Sequence, residues 1–212
     1  MLYRRGLLQM ATIFLYGCRS RQTAVKGDDI LADSIQLQLT AQASANALEL
    51  RYNVVNQSSK PVFLFTPLVD YRGDQFVPIP QRVYVTRGAE GVAQLSKRLW
   101  PVPDEIDVFM PEVPYLTKVA ANSTFAEKLS LPLPLLINYP YRGADGTTPE
   151  SSSKTESKSM AFSIGYAAAS EAELGLEAIP GTAFYRIAYG SGITHQKILT
   201  GPLVTARLTL QG

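Results

Sequence analysis

A chain of 212 residues with 46% hydrophobic content is long enough to bury a core without metals or disulfides, as one large domain or two small ones. Lys and Arg total 20 against 18 Asp and Glu, and charged residues are only 18% of the chain, so there is no strong field to attract nucleic acid. A single cysteine excludes a disulfide framework, while 14 Pro and 11 Tyr favour strands and turns over helices.

The chain opens MLYRRGLLQMATIFLYGC. Arg4 and Arg5 precede an apolar run from Leu7 to Tyr16, broken only by Gln9 and Thr12. That is the charged start and short apolar stretch of a signal peptide. The run has about ten residues, half of the roughly 20 that a spanning helix needs. Leu15-Tyr16-Gly17-Cys18 resembles the lipobox of bacterial lipoproteins: an aliphatic residue, a tolerant position, a small residue, then Cys. The resemblance implies cleavage after Gly17, diacylglycerol on the Cys18 sulfur and an acylated new amine. Residues 1–17 are then a removed signal peptide. Several acyl chains on Cys18 anchor the protein to a membrane, where one chain would be marginal. Arg19 stands where an inner-membrane retention signal would place Asp, so the resemblance points to the outer membrane if the source has one. Arg4-Arg5-Gly6-Leu7-Leu8 also resembles a twin-arginine export signal. Without Arg4 and Arg5 the basic total of 20 falls to 18, equal to the acidic total, so the mature side chains are neutral.

From Arg19 to Asp33 the chain is polar and aperiodic, and 18–33 reads as a lipidated terminus and tether. Alternation then begins. Ile35, Leu37 and Leu39 alternate with polar residues, as do Leu48, Leu50, Tyr52 and Val54, predicting two half-buried strands. Asn56-Gln57-Ser58-Ser59-Lys60-Pro61 is a turn cluster, and Val62 to Phe65 a short apolar strand. Asp70-Tyr71-Arg72-Gly73-Asp74 contains the tripeptide that integrins bind, and reads as a polar turn.

Further strands are predicted at Arg82–Thr86, at Val92–Leu99 with Lys97 and Arg98 at its end, and at Ile106–Phe109, Leu116–Val119 and Phe125–Leu131. The run RGADGTTPESSSKTESKS, 142–159, predicts a long disordered serine-rich loop. Beyond it lie predicted strands at Met160–Ala167, Phe184–Tyr189, Gln196–Leu199 and Val204–Leu210. Ser170 to Glu177 carries a cap-like Ser and helix formers, limited to a turn or two by Gly175 and Pro180. No strands alternate with long helices. The fold class expected is therefore all-β, an antiparallel immunoglobulin-like sandwich, with 34–212 as a single domain. LELRYNVVNQSSKPVFLF, residues 48–65, resembles the opening hairpin of immunoglobulin-like bacterial domains, an outline shared by protease-inhibitor domains of bacilli.

The search for chemistry yields little. His195 is the only histidine, and Asp28, Asp29 and Asp33 lack the Gly and Glu of a calcium loop, so no metal site is expected. No Walker loop or dinucleotide fingerprint is present, and no cofactor is expected. Ser191 and His195 in YGSGITH could serve a serine hydrolase, but Gly-Ser-Gly lacks the spacing of a nucleophile elbow. The simpler reading is a hairpin tip. Trp100–Tyr115 and Leu131–Tyr141 combine Pro with aromatics, which suits rigid recognition surfaces for peptide or carbohydrate. The function expected is a non-enzymatic binding or assembly module at the bacterial envelope, facing the periplasm. It is anchored by Cys18 and engages another envelope protein or a glycan. A protease-inhibitor-like binder and the Ser191–His195 hydrolase are the alternatives.

Overall fold

A computed structural model describes residues 34–142 and 153–212. Residues 1–33, with Cys18 and the lipobox, and residues 143–152 of the serine-rich run lie outside the described residues. In chain order the strands are β1 (Ile35–Ala43), β2 (Ala47–Asn56), β3 (Val62–Phe65), β4 (Leu68–Arg72), β5 (Gln75–Ile79), β6 (Tyr84–Arg87), β7 (Ala93–Lys97), β8 (Leu116–Val119) and β9 (Ser123–Pro132). After them come β10 (Leu135–Leu136), β11 (Lys154–Ala167), β12 (Glu177–Ala178), β13 (Phe184–Arg186), β14 (Lys197–Thr200) and β15 (Val204–Gln211). Two short helices, α1 (Glu171–Leu174) and α2 (Tyr189–His195), sit among the late strands. The fold is an all-β sandwich, as the alternation predicts.

The smaller sheet has the order β1-β2-β9, antiparallel throughout. Its register places Leu48 opposite Leu131, Leu50 opposite Leu129 and Val54 opposite Phe125. The inward residues of β2 alternate with outward polar ones, so one face is apolar and must be covered. Burying each of Leu48, Leu50 and Val54 contributes about 2 kcal/mol. The larger sheet supplies the cover. Its main path is β10-β15-β11-β3-β8-β13-β12, with β7 and β14 also on β11 and β6 on β7. Met160, Phe162 and Ile164 of β11, Leu95 of β7 and Leu208 of β15 meet the smaller sheet. The Tyr52 and Phe162 rings stand 4.7 Å apart across this core. Strand pairings are antiparallel except β7 with β11 and β10 with β15. The serine-rich run separates β10 from β11 in sequence, yet strands from both sides share this sheet.

β3 explains a second, smaller core. All four of its residues are buried. Val62 and Leu64 face the main core, while Phe63 and Phe65 face the other way, against Leu99, Leu116, Leu174 and Ile187. A strand buried on both faces reads as a continuous apolar run, which VFLF is. The helices close this second face. Ser170 caps α1 reciprocally with Glu173, the capping box that the sequence suggests, and Gly175 ends it with φ of 63°.

Several expectations are corrected. Ile106–Phe109 forms no strand: it lies among Pro101, Pro103, Pro111 and Pro114 with no pairing partner. The serine-rich run is not loop throughout, because Lys154–Ser159 belong to β11 and pair with β15. Ser157 makes this polar stretch viable: its buried hydroxyl accepts from Ala93 N and donates to Ser159 O. Tyr189–His195 is a helix rather than a hairpin tip, and β13 stops at Arg186. Gly192 is packed so closely that an added Cβ would lie 2.6 Å from Leu99 Cδ2. The hairpin β4–β5 was not legible as strands. Its turn is the Arg72-Gly73-Asp74 segment, with Gly73 at φ 62°, so that tripeptide is a turn as expected. Asn56 accepts from the Ser58 amide and hydroxyl and donates to Lys60, Val119 and Ala120 carbonyls, stitching two turns together.

Candidate functional site

Ser191 and His195 lie one turn apart on α2, but their hydrogen bonds do not join them. The Ser191 hydroxyl donates to the Leu174 carbonyl at 2.9 Å. The carboxylate of Glu173 on the neighbouring helix α1 accepts from the Ser170 amide and hydroxyl at 2.8 and 2.7 Å. Those bonds hold its carboxyl below the usual range. Among the described residues no group of three His, Cys, Asp or Glu can hold a metal ion, and no helix is long and apolar enough to cross a membrane.

Two charged clusters organise the region where β4–β5 meets the sandwich. Lys97 has a fully buried side chain, and its Nζ donates to Glu127 Oε2 and Pro80 O at 2.6 Å each and to Thr66 Oγ1 at 3.3 Å. The Tyr52 hydroxyl donates to the same Glu127 oxygen. Tyr52 and Glu127 are direct cross-strand neighbours. Burial lowers the Lys97 ammonium pKa, with Glu127 opposing it, and burial together with Glu127 pushes the Tyr52 phenol well up. The second cluster centres on Glu112. Its carboxylate receives the Tyr84 hydroxyl at 2.5 Å and pairs with Arg82 at 3.0 Å, while Arg82 also donates to the Val69 carbonyl. Burial raises the Glu112 carboxyl despite these partners.

The two aromatic stretches singled out in the sequence do converge. Trp100 meets Tyr139 at 5.5 Å and Tyr84 at 6.3 Å between ring centroids, and the Arg98 guanidinium lies 3.9 Å from the Trp100 centroid. Beside them, a polar cleft of about 200 Å³ opens on the outer face of the larger sheet.

A different feature is built from the Pro-rich segment. Phe76, Met110, Pro111, Val113, Pro114, Tyr115, Arg186 and Ile187 line an apolar groove of about 260 Å³. Tyr115 fixes its floor. The Tyr115 hydroxyl donates to Phe76 O at 2.9 Å and its amide to Pro67 O at 3.0 Å, tying β8 to the β4–β5 hairpin. Phe109, at the rim, is 99% exposed, and Met110 and Tyr71 are about half exposed. Such a cluster of large apolar side chains is unusual on a free surface. Asp104, Glu105 and Asp107 on the same segment are all exposed, and no basic residue occurs between Trp100 and Lys118.

No family model, no curated protein and no solved structure matches this chain. Lys97 and Glu127 were not recognisable as a pair by composition, although their register carries a signal. Ala93, Leu95 and Lys97 share the inward register of β7, and Phe125, Glu127 and Leu129 share that of β9. A charge in a core register on each of two strands is the mark of a buried pair.

Proposed function

We propose that this protein is a lipid-anchored bacterial envelope protein that acts without catalysis, docking a segment of another envelope protein in the groove beside Phe109. The carrying observation is the pairing of exposed Phe109 and Met110 with the exposed acidic residues Asp104, Glu105 and Asp107 of the same segment. An apolar groove beside an acidic segment fits a polypeptide segment that is apolar and basic, and the one cation on the groove lining, Arg186, already lies over the Tyr115 ring. The same acidic residues disfavour insertion of Phe109 into an anionic lipid surface. The anchor on Cys18, implied by the lipobox resemblance, confines the domain to a membrane and raises its effective concentration for partners there. Arg19 after the anchor favours the outer membrane in a source that has two.

A photo-crosslinking residue placed at Phe109 in cells tests this. We expect an adduct with one envelope protein, mapped to a Lys- or Arg-bearing apolar segment. It should fade in Asp104→Lys/Asp107→Lys and in the unanchored Cys18→Ser. Equal capture from a probe at Gln42, on the far sheet, overturns the reading, as does capture indifferent to the charge reversal.

A further inference from the structure

The polar cleft beside Trp100 is a second site, sharing no lining residue with the groove beside Phe109. Its floor is the outward register of four adjacent strands. Thr86 comes from β6, Gln94 and Ser96 from β7, Ala161 and Ser163 from β11, and Ile198 and Thr200 from β14. Alternation sends their sequence neighbours Leu95, Phe162 and Leu199 toward the core, so this row of hydroxyl and amide groups follows from the pleat. Arg98 and Trp100 form the wall.

Three observations define the chemistry. First, no carboxylate lines the cleft. Burial alone lowers the Arg98 pKa, with no acidic group contributing, yet a guanidinium stays charged at any ordinary pH. Second, Arg98 Nε and Trp100 Nε1 are buried N–H donors without a hydrogen-bond partner. Buried donors of this kind normally have acceptors, and an oxyanion is the acceptor an arginine fork matches best. Third, the Trp100 ring is already packed by Arg98, Tyr139 and Tyr84, so its face is occupied. That disfavours a neutral sugar stacked on the ring.

We propose that this cleft binds the carboxylate or phosphate of a small polar ligand, with Arg98 supplying charge and Ser96, Ser163, Thr86 and Thr200 contacts to the remaining hydroxyls. A volume of about 200 Å³ is below that of drug-sized pockets and suits a unit of monosaccharide size.

Trp100 is the only tryptophan, so intrinsic fluorescence of the full-length protein reports the site directly. Titration with D-glucuronate, D-glucose 6-phosphate, D-glucose and sodium chloride at matched ionic strength separates the cases. We expect a saturable change with glucuronate or glucose 6-phosphate, and none with glucose. The stronger of the two anions identifies the oxyanion. Arg98→Gln should weaken binding at least tenfold, and Ser163→Val, on a different strand, several-fold. Should Arg98→Gln fold poorly, Ser163→Val carries the test alone. No saturable response to either anion overturns the proposal, as does an equal response to chloride or full binding by Ser163→Val together with any folded Arg98 variant. A failed titration leaves the groove reading standing, because the Phe109 crosslink does not pass through the cleft.

Discussion

Lys97 and Arg98 are adjacent cations, the last residue of β7 and the one after it, and they illustrate two ways to hold a charge. Lys97 points inward, has no exposed side-chain surface, and spends its donors on Glu127, Pro80 and Thr66. Arg98 points outward, lies over Trp100, and leaves its Nε without an acceptor. The inner cation is a fastener whose partners all belong to the protein. The outer one is held by an aromatic ring, which fixes its position without neutralising its charge. A fixed, unneutralised guanidinium suits the anion proposed for the cleft.

The largest effect expected is from removing the inner cation. Lys97→Met leaves Glu127 in a mostly dry site without its countercharge. Breaking a buried pair costs about 3–5 kcal/mol, and the 16% exposure of Glu127 places this case near the low end, ~3 kcal/mol. Lys97→Met/Glu127→Leu removes both charges and should recover most of the loss in chemical denaturation. A double variant no better than the single would show that the network holds the Pro80 and Thr66 segments by more than charge pairing.

Glu112 gives an intermediate case, with Arg82 and Glu112 side chains 27% and 23% exposed. Its carboxyl is raised on folding, so the folded state takes up its proton more readily than the unfolded one. The stability of the natural protein relative to Glu112→Gln should then be greatest at acid pH. It should fall as pH rises from the ordinary carboxyl range through the raised folded value. Near neutrality the substitution should change stability by only about 1 kcal/mol, since Gln still accepts from Tyr84. Melting curves across acid pH check the sign, and a difference growing with pH would contradict it.

Arg98→Gln should cost no more than the stacking contact, about 0.5–1 kcal/mol. A loss as large as that of Lys97→Met would make Arg98 a fastener too and erase the contrast.

How much of this was legible beforehand follows from periodicity. β1, β2 and β3 could be read because each buries one face, or in β3 both, and so writes a clean pattern, while β8 was legible from its apolar ends, Leu116 in the second core and Val119 in the main one. The β4–β5 hairpin could not, because its residues are mixed and Pro78 interrupts it. The start of β11 was hidden for the opposite reason: a strand paired to β15 by backbone bonds needs few apolar side chains, and Lys154–Ser159 has none. Ile106–Phe109 misled because its apolar residues pair with no strand: Ile106 and Val108 are half-buried and Phe109 is exposed. The aromatic convergence of Tyr84, Trp100 and Tyr139 was readable as composition and not as place. Only the pleat, which sets Gln94 and Ser96 on one face and Ala93, Leu95 and Lys97 on the other, places Trp100 and Arg98 beside a polar cleft.

The smallest effect is expected at His195, and it bears on the hydrolase alternative. His195 ends α2, a position where a cation is mildly favourable to the helix dipole, yet seven residues make a short helix with a weak end effect. The Ser191 hydroxyl already donates to Leu174 O, so a histidine acting as base would first have to draw it away from that bond. Ser191 is therefore better suited to holding α2 against α1 than to attacking a substrate. His195→Ala should shift stability by less than about 0.5 kcal/mol and leave the Phe109 crosslink and the Trp100 titration unchanged. Ser191→Ala should instead cost about 1 kcal/mol, the worth of one hydrogen bond between the two helices. Hydrolysis of an ester probe that is lost in both variants would reverse this ranking and make α2 a catalytic element; stability loss in Ser191→Ala alone, with no activity to lose, leaves it a strut.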